Sequence, residues 1–132
     1  MSESNVELAR RGFEALKRGD VSSIGALLDE NVQWHAGDPT AEMACHNRRE
    51  ALAFIQRPGR RGPGELVDVL DAGDRVVVIT QPPAQEDGTP SELHAQITTF
   101  RDGRVTEMVG YPTVGAALEA AGVRWSAQSS SD

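Results

Sequence analysis

ELHAQITTFRDGRVTEMVGY, running from Glu92 to Tyr111, holds two β-rich segments on either side of Asp102-Gly103. An Asp-Gly pair between alternating β-formers is among the strongest short-range hairpin signals, because both residues tolerate the positive φ of a tight primed turn. The stretch therefore predicts a long antiparallel hairpin near the end of the chain. Its register decides which side chains share a face, since a slip of one residue moves every side chain to the other side. With Asp102-Gly103 as a two-residue type I′ loop, Arg101 pairs with Arg104, Thr98 faces Glu107 and His94 faces Tyr111. With Arg101-Asp102 as a type I turn and Gly103 in a bulge, Phe100 pairs with Arg104 and Gln96 faces Met108. The second register is favoured, because it keeps Glu107 off the face of Thr98, where its charge would be buried alone.

The remainder of the chain supplies the frame. At 132 residues it is long enough for one domain, and a domain of that size buries about two-thirds of its unfolded surface without a metal or disulfide staple. Formal charge is −7, from 13 Lys and Arg against 20 Asp and Glu. That balance argues against a nucleic-acid footprint and against attraction to an anionic membrane. The lone Cys45 forms no internal disulfide, and MSESNVELARRGF does not read as a signal peptide, so a reducing cytoplasm is expected. No apolar run approaches the ~18 residues of a membrane span.

Upstream, Ser4 and Glu7 form a capping box, and Val6, Ala9, Phe13 and Leu16 follow at helical spacing until Gly19. Asp20 caps a second, short helix with Ile24, Leu27 and Leu28 on one face. Residues 32–36 alternate as a strand, with Trp34 pointing in and His35 out. A loop over 37–45 leads to a third helix, capped by Asn47 with Glu50 and carrying Leu52 and Ile55. After a break over 57–65, strands are predicted at 66–70 and 75–80. Val76 to Ile79 is apolar throughout, as in a strand covered on both faces. Beyond the hairpin, Thr113 caps a last helix bearing Val114, Ala117, Leu118 and Ala121 before Gly122. Residues 1–125 read as a single domain, and SAQSSSD at 126–132 as a disordered tail.

The chemistry concentrates on the hairpin. His94, Gln96, Thr98 and Phe100 share one strand face, which puts an imidazole, an amide and a hydroxyl on a half-apolar wall, the composition of a small-molecule pocket. Phe13, Trp34, Met108 and Tyr111 complete the expected wall. His94 is the first candidate for a general acid or base, with His35 the second, because imidazole titrates near neutrality. The plainer reading of His94 is a strand-end histidine near solvent. His35, Asp38, Cys45 and His46 fit no zinc spacing, so neither a metal nor any cofactor is expected, and Cys45 reads as a small buried residue. Arg48, Arg49, Arg57, Arg60 and Arg61 form a basic run, read as a solvated helix face and loop. Leu93, Ala95, Ile97, Thr99 and Val109 leave the other face of the hairpin too apolar for full exposure, which predicts a twofold dimer through that face.

The order helix, helix, strand, helix, strands and closing helix, with FEALKRGD early and TTFRDGRVTEMVGY late, resembles the SnoaL-like branch of the nuclear transport factor 2-like superfamily over residues 5–122. The resemblance implies an α+β fold: a curved mixed, largely antiparallel sheet wrapped round N-terminal helices into a cone, with an apolar pocket inside and frequent dimers. It also implies a family that includes polyketide cyclases, ketosteroid isomerases and epoxide hydrolases. The catalytic positions of these enzymes do not carry over. The isomerases' tyrosine falls near Gly12 or Phe13, their first-strand aspartate at His35-Ala36, and the late-strand aspartate of isomerases and cyclases on Thr98. The Asp, Arg, Asp set of the epoxide hydrolases has no match. What remains is a pocket for a mostly apolar small molecule, used for cofactor-independent isomerisation, cyclisation or hydration through a histidine. The alternative is a ligand-binding or dimerising module without catalysis.

Overall fold

The computed structural model of the chain describes residues 4–58 and 62–125; the expected tail at 126–132 lies outside them, as do Arg60 and Arg61. Helix α1 spans Asn5–Arg18. The Ser4 hydroxyl accepts from the Glu7 amide while the Glu7 carboxylate accepts from the Ser4 amide, and Gly19 ends the helix at φ 70°. Asp20 caps α2 (Val21–Leu27) by accepting from the Ser23 amide at 3.1 Å. The chain then passes directly into extended backbone, so β1 runs Leu28–His35 and begins earlier than its alternating segment suggests. Asn47 caps α3 (Arg48–Ile55), β2 spans Glu65–Ala72 and β3 Arg75–Gln81. The hairpin strands are β4 (His94–Arg101) and β5 (Arg104–Tyr111), and Thr113 caps α4 (Val114–Ala121).

The five strands form one sheet in the order β1-β5-β4-β3-β2, antiparallel except where β1 runs parallel to β5. Two apolar clusters lie on its two sides. On the inner side Leu8, Ile24, Leu27, Val32, Val76 and Phe100 join α1 and α2 to the sheet. On the outer side Val77, Ile79, Ala95 and Ile97 pack under Ala117 and Leu118 of α4. Val76, Val77 and Ile79 are entirely buried, as a strand covered on both faces requires. The apolar outer face of the hairpin, which motivated a partner subunit, is thus covered by the chain's own last helix: Ala95 is wholly buried and Ile97 4 % exposed. Among the described residues no helix is long and apolar enough to cross a membrane.

The inner helices do not cover the sheet evenly. Helix α1 packs against β2 and β3 and α2 against β1 and β5. Between them a hollow is left over β4, the central strand.

The hairpin register corrects the favoured reading. Asp102 and Gly103 both have positive φ, 53° and 79°, and Arg101 pairs with Arg104, so the loop is the two-residue primed turn and not the Gly103 bulge. Pairing then shifts: Phe100 meets Val105, but Thr99 meets Glu107, which leaves Thr106 as the extra residue of a bulge. Thr98 therefore faces Met108, not Glu107, and Tyr111 faces Ala95, not His94. The bulge turns Glu107 away from the inner face, which satisfies by another device the physical demand that favoured the wrong turn.

Candidate functional site

The hollow over β4 is a cavity of about 480 Å³. Its walls are overwhelmingly apolar, with Leu8 and Phe13 from α1, Ile24 and Leu27 from α2, and Trp34 and Val78 from the sheet. Among the described residues lining it there is no carboxylate, lysine or arginine. Trp34 is fixed by Phe54 of α3, edge to face at 5.1 Å between ring centroids and 77° between planes.

Polar groups enter from β4 and its neighbour β3. His94, Gln96, Thr98 and Phe100 alternate along β4 and all line the cavity, while Thr80 on β3 stands opposite His94. Met108 lines it from β5, between Thr98 and Trp34 in register. Thr98, 5 % exposed, lies deepest of the polar residues and accepts a hydrogen bond from the Gln96 amide at 3.3 Å. Its own proton has no acceptor among the described residues. A molecule in the cavity with one carbonyl or ether oxygen would find a donor there.

His94 stands at the mouth. Its ring lies over Gly110 of β5, where a Cβ would sit 3.6 Å from Cε1. One side of the residue is open to solvent, yet partial burial of the ring holds its pKa below the ordinary histidine value. No hydrogen-bond or charged partner reaches this imidazole among the described residues. It is a neutral, unpartnered base beside an apolar volume, able to take or give one proton but with no carboxylate to orient it.

Two predicted site residues fall elsewhere. Tyr111 lies in the outer cluster under α4, because the Thr106 bulge reverses the face that counting in twos assigns it. His35 borders the cavity with its backbone neighbours, but strand alternation turns its ring outward, as expected from the sequence. There its Nε2 lies 3.1 Å from the Glu107 carboxylate and its Nδ1 accepts from the Gly37 amide at 3.0 Å. The amide can only donate, so Nδ1 is unprotonated and Nε2–H donates to Glu107. Both nitrogens are thus occupied by protein partners. Cys45 is buried and pairs its backbone with that of Trp34, and His46 turns to the Pro39 carbonyl and Glu50. These side chains therefore do not converge.

Sequence reasoning missed several wall residues. Thr80 carries a signal, a hydroxyl closing an apolar strand on the face of His94. Met43, Ala41 and Cys45 do not, because they reach the cavity only when the 36–44 segment folds back over the mouth.

The SnoaL-like domain model matches residues 9–108. No curated protein matches the chain. Among solved structures, Bal32a from a soil-derived mobile gene cassette is 28% identical, with a TM-score of 0.67 over 80% of this chain and 86% of that one. A nuclear transport factor 2-like protein from Burkholderia pseudomallei is 19% identical, TM-score 0.68, covering 89% and 97%. The fold recurs in an LEH-like epoxide hydrolase from M. tuberculosis, 15% identical, TM-score 0.62, covering 80% of each chain.

Proposed function

The chain belongs to the SnoaL-like family, and on that premise we propose that its cavity takes up a mostly apolar small molecule bearing one oxygen function. Thr98 and Gln96 bind the oxygen, and His94 exchanges a proton with the bound molecule in a cofactor-independent isomerisation, cyclisation or hydration. The observation that carries this reading is the polar row His94, Gln96 and Thr98 along β4, with Thr80 beside it, in a predominantly apolar cavity of about 480 Å³. A volume of that size suits a small organic ligand, and a few placed polar groups are what fix its orientation. One positioned base contributes about 10²- to 10⁴-fold, which suits an activated carbon acid better than a hard hydrolysis.

The test is a thermal-shift screen against hydrophobic ketones, aromatic polyketides, epoxides and small organic acids. A ligand at 100 times its Kd adds about 2.7 kcal/mol, a shift of several degrees in a domain of this size. Turnover of a hit that falls at least about 10²-fold in His94→Ala supports the catalytic role. Absence of any hit from a folded chain would sink the ligand reading. The unpartnered state of His94 favours a second reading, binding without chemistry, and a hit whose conversion is unchanged by His94→Ala would select it. We also propose a cytoplasmic protein that associates in twofold pairs through the outer face beside α4, where Thr99, Glu107 and Val109 stay partly exposed. A monomeric mass by sedimentation at micromolar concentration would remove the pairing.

A further inference from the structure

Residues 36–44 form a strap across one side of the cavity mouth: Ala36, Ala41, Met43 and Ala44 line the cavity, and Met43 is 57 % exposed. The strap is closed at its base by the backbone pairing of Trp34, just before it, with Cys45, just after it, at 2.9 and 2.8 Å. Within it, Asp38 accepts from Thr40 and the Ala41 amide donates to the Asp38 carbonyl. At its near end it is held by one bond to a side chain outside it, from the Gly37 amide to Nδ1 of His35. Gly37 sits at φ 110°, a conformation reserved for glycine, so the chain turns sharply at this bond. The His35 side chain is 8 % exposed and its other nitrogen is tied to Glu107.

We propose that His35 is a positioning residue of the cavity mouth: its neutral imidazole pins the strap through Gly37, and protonation of the ring releases the strap and opens the cavity. The proposal rests on the cavity being a ligand site. An imidazolium carries a proton on both nitrogens, so the Gly37 amide would then face an N–H and lose its acceptor. The charged groups facing the ring are Glu107 from β5, at 3.1 Å, and Asp38 from the strap, whose carboxyl is held low first by Thr40 and further by the His35 charge. Both are acidic. His46, which grips the Pro39 carbonyl through Nε2, keeps that bond when protonated and gains charge against Glu50 at 3.4 Å, so it does not release the strap.

Two variants separate the nitrogens. His35→Asn places an oxygen near the Nδ1 position and can accept from the amide two residues on, as asparagine does in an Asx turn, but loses Glu107. His35→Gln reaches Glu107 and leaves Gly37 without an acceptor. The measurements are hydrogen exchange at the Gly37 amide, corrected for its intrinsic rate, and stopped-flow release of the neutral fluorophore phenylnaphthylamine, from about pH 8 to about pH 5. In the wild type, protection falls and release accelerates about fivefold toward acid, the worth of one ordinary hydrogen bond. In His35→Asn the Gly37 amide stays protected across the pH range, and in His35→Gln it is unprotected throughout and release is already fast at about pH 8. Protection of Gly37 that is pH-independent in the wild type, or retained in His35→Gln, would overturn the pin. Loss of protection with unchanged release would overturn the gate. Failure of the fluorophore to bind the wild type at all would overturn the ligand reading, and the gate with it. Should His35→Gln not fold, the wild-type pH series still decides.

Discussion

Thr98→Val separates the two jobs that a buried hydroxyl can have. Thr98 is 5 % exposed and accepts one long hydrogen bond, 3.3 Å, from Gln96. The substitution is nearly isosteric. It removes a hydrogen bond worth about 0.5–1.5 kcal/mol, and it replaces a desolvated oxygen by a methyl group that gains roughly 0.8 kcal/mol. Gln96 is only partly buried, so its amide can turn to solvent in the cavity. The two contributions offset, and stability should stay within about 1 kcal/mol of wild type, a shift in Tm of no more than roughly 3–5 °C. Binding should respond differently. A ligand oxygen that loses its donor in an apolar pocket forfeits the bond and is left unpaired, which costs about 1–3 kcal/mol, or roughly 5- to 150-fold in Kd. Thr98→Ser is the complement: it keeps the donor and loses the methyl group, so it should bind as wild type and be less stable by about 1 kcal/mol. Urea unfolding and titration with any hit from the ligand screen measure both quantities on the same samples. A Thr98→Val variant destabilised by more than about 2 kcal/mol that binds as well as wild type would show that the hydroxyl serves Gln96 alone, and the polar row would no longer support a ligand oxygen.

Other consequences are simpler. Burial holds the His94 pKa below the ordinary value, so between the two the folded chain binds fewer protons than the unfolded one, and stability present above about pH 6.5 is lost as pH falls. His94→Gln should therefore lose less stability than wild type between about pH 7 and about pH 5, and equal slopes in urea titrations would refute the assignment. Ile79 is fully buried between the sheet and α4, so Ile79→Ala should cost about 2–5 kcal/mol and Ile79→Val about 0.5–1.5 in equilibrium unfolding. Gly103 sits at φ 79° in the primed turn, and Gly103→Ala should cost about 1 kcal/mol through backbone strain alone, with open space around the added methyl group. A cost below roughly 0.3 kcal/mol by the same assay would contradict that turn geometry.

Strand period made most of the site readable. His94, Gln96, Thr98 and Phe100 share a face because β4 is regular over that length, and Met108 and Trp34 follow from pairing with it. Period cannot carry a bulge. Threonine is an ordinary strand residue, and nothing in Arg104–Tyr111 marks Thr106 as the one that drops out of the ladder. The irregularity is shared with β1, whose pairing to β5 also shifts between Leu28 and Gln33, so it belongs to the fit of three strands and not to the sequence of one. That is tertiary packing, and it moved Tyr111 from the cavity to the outer cluster. The outer face shows the same limit. Ile97 and Ala95 read as needing cover, and Ala117, Leu118 and Ala121 as an apolar helix stripe, but no local signal joins the two. Nor does any local signal separate a hollow from a filled core. Leu8, Ile24 and Leu27 would read identically in either, and the hollow arises only because α1 and α2 settle on opposite halves of the sheet.

The two histidines that the sequence offered as alternatives are separated by their partners. A ring with both nitrogens bound to protein has its tautomer and orientation fixed, and any proton it moves must break one of those bonds. His35 is in that state, between Gly37 and Glu107, and its chemistry is spent on holding backbone in place. Among the described residues His94 has no such partner, lies on glycine instead of a side chain, and borders an apolar volume. Its proton can therefore move without breaking a hydrogen bond among the described residues. A strand puts adjacent residues on opposite faces, so the outward turn of His35 follows from the inward turn of Trp34. Reversing one would expose an aromatic ring already packed against Phe54. The fold thus ties the first-strand histidine to Gly37 and Glu107 and leaves the fourth-strand histidine on the cavity wall with no protein partner among the described residues.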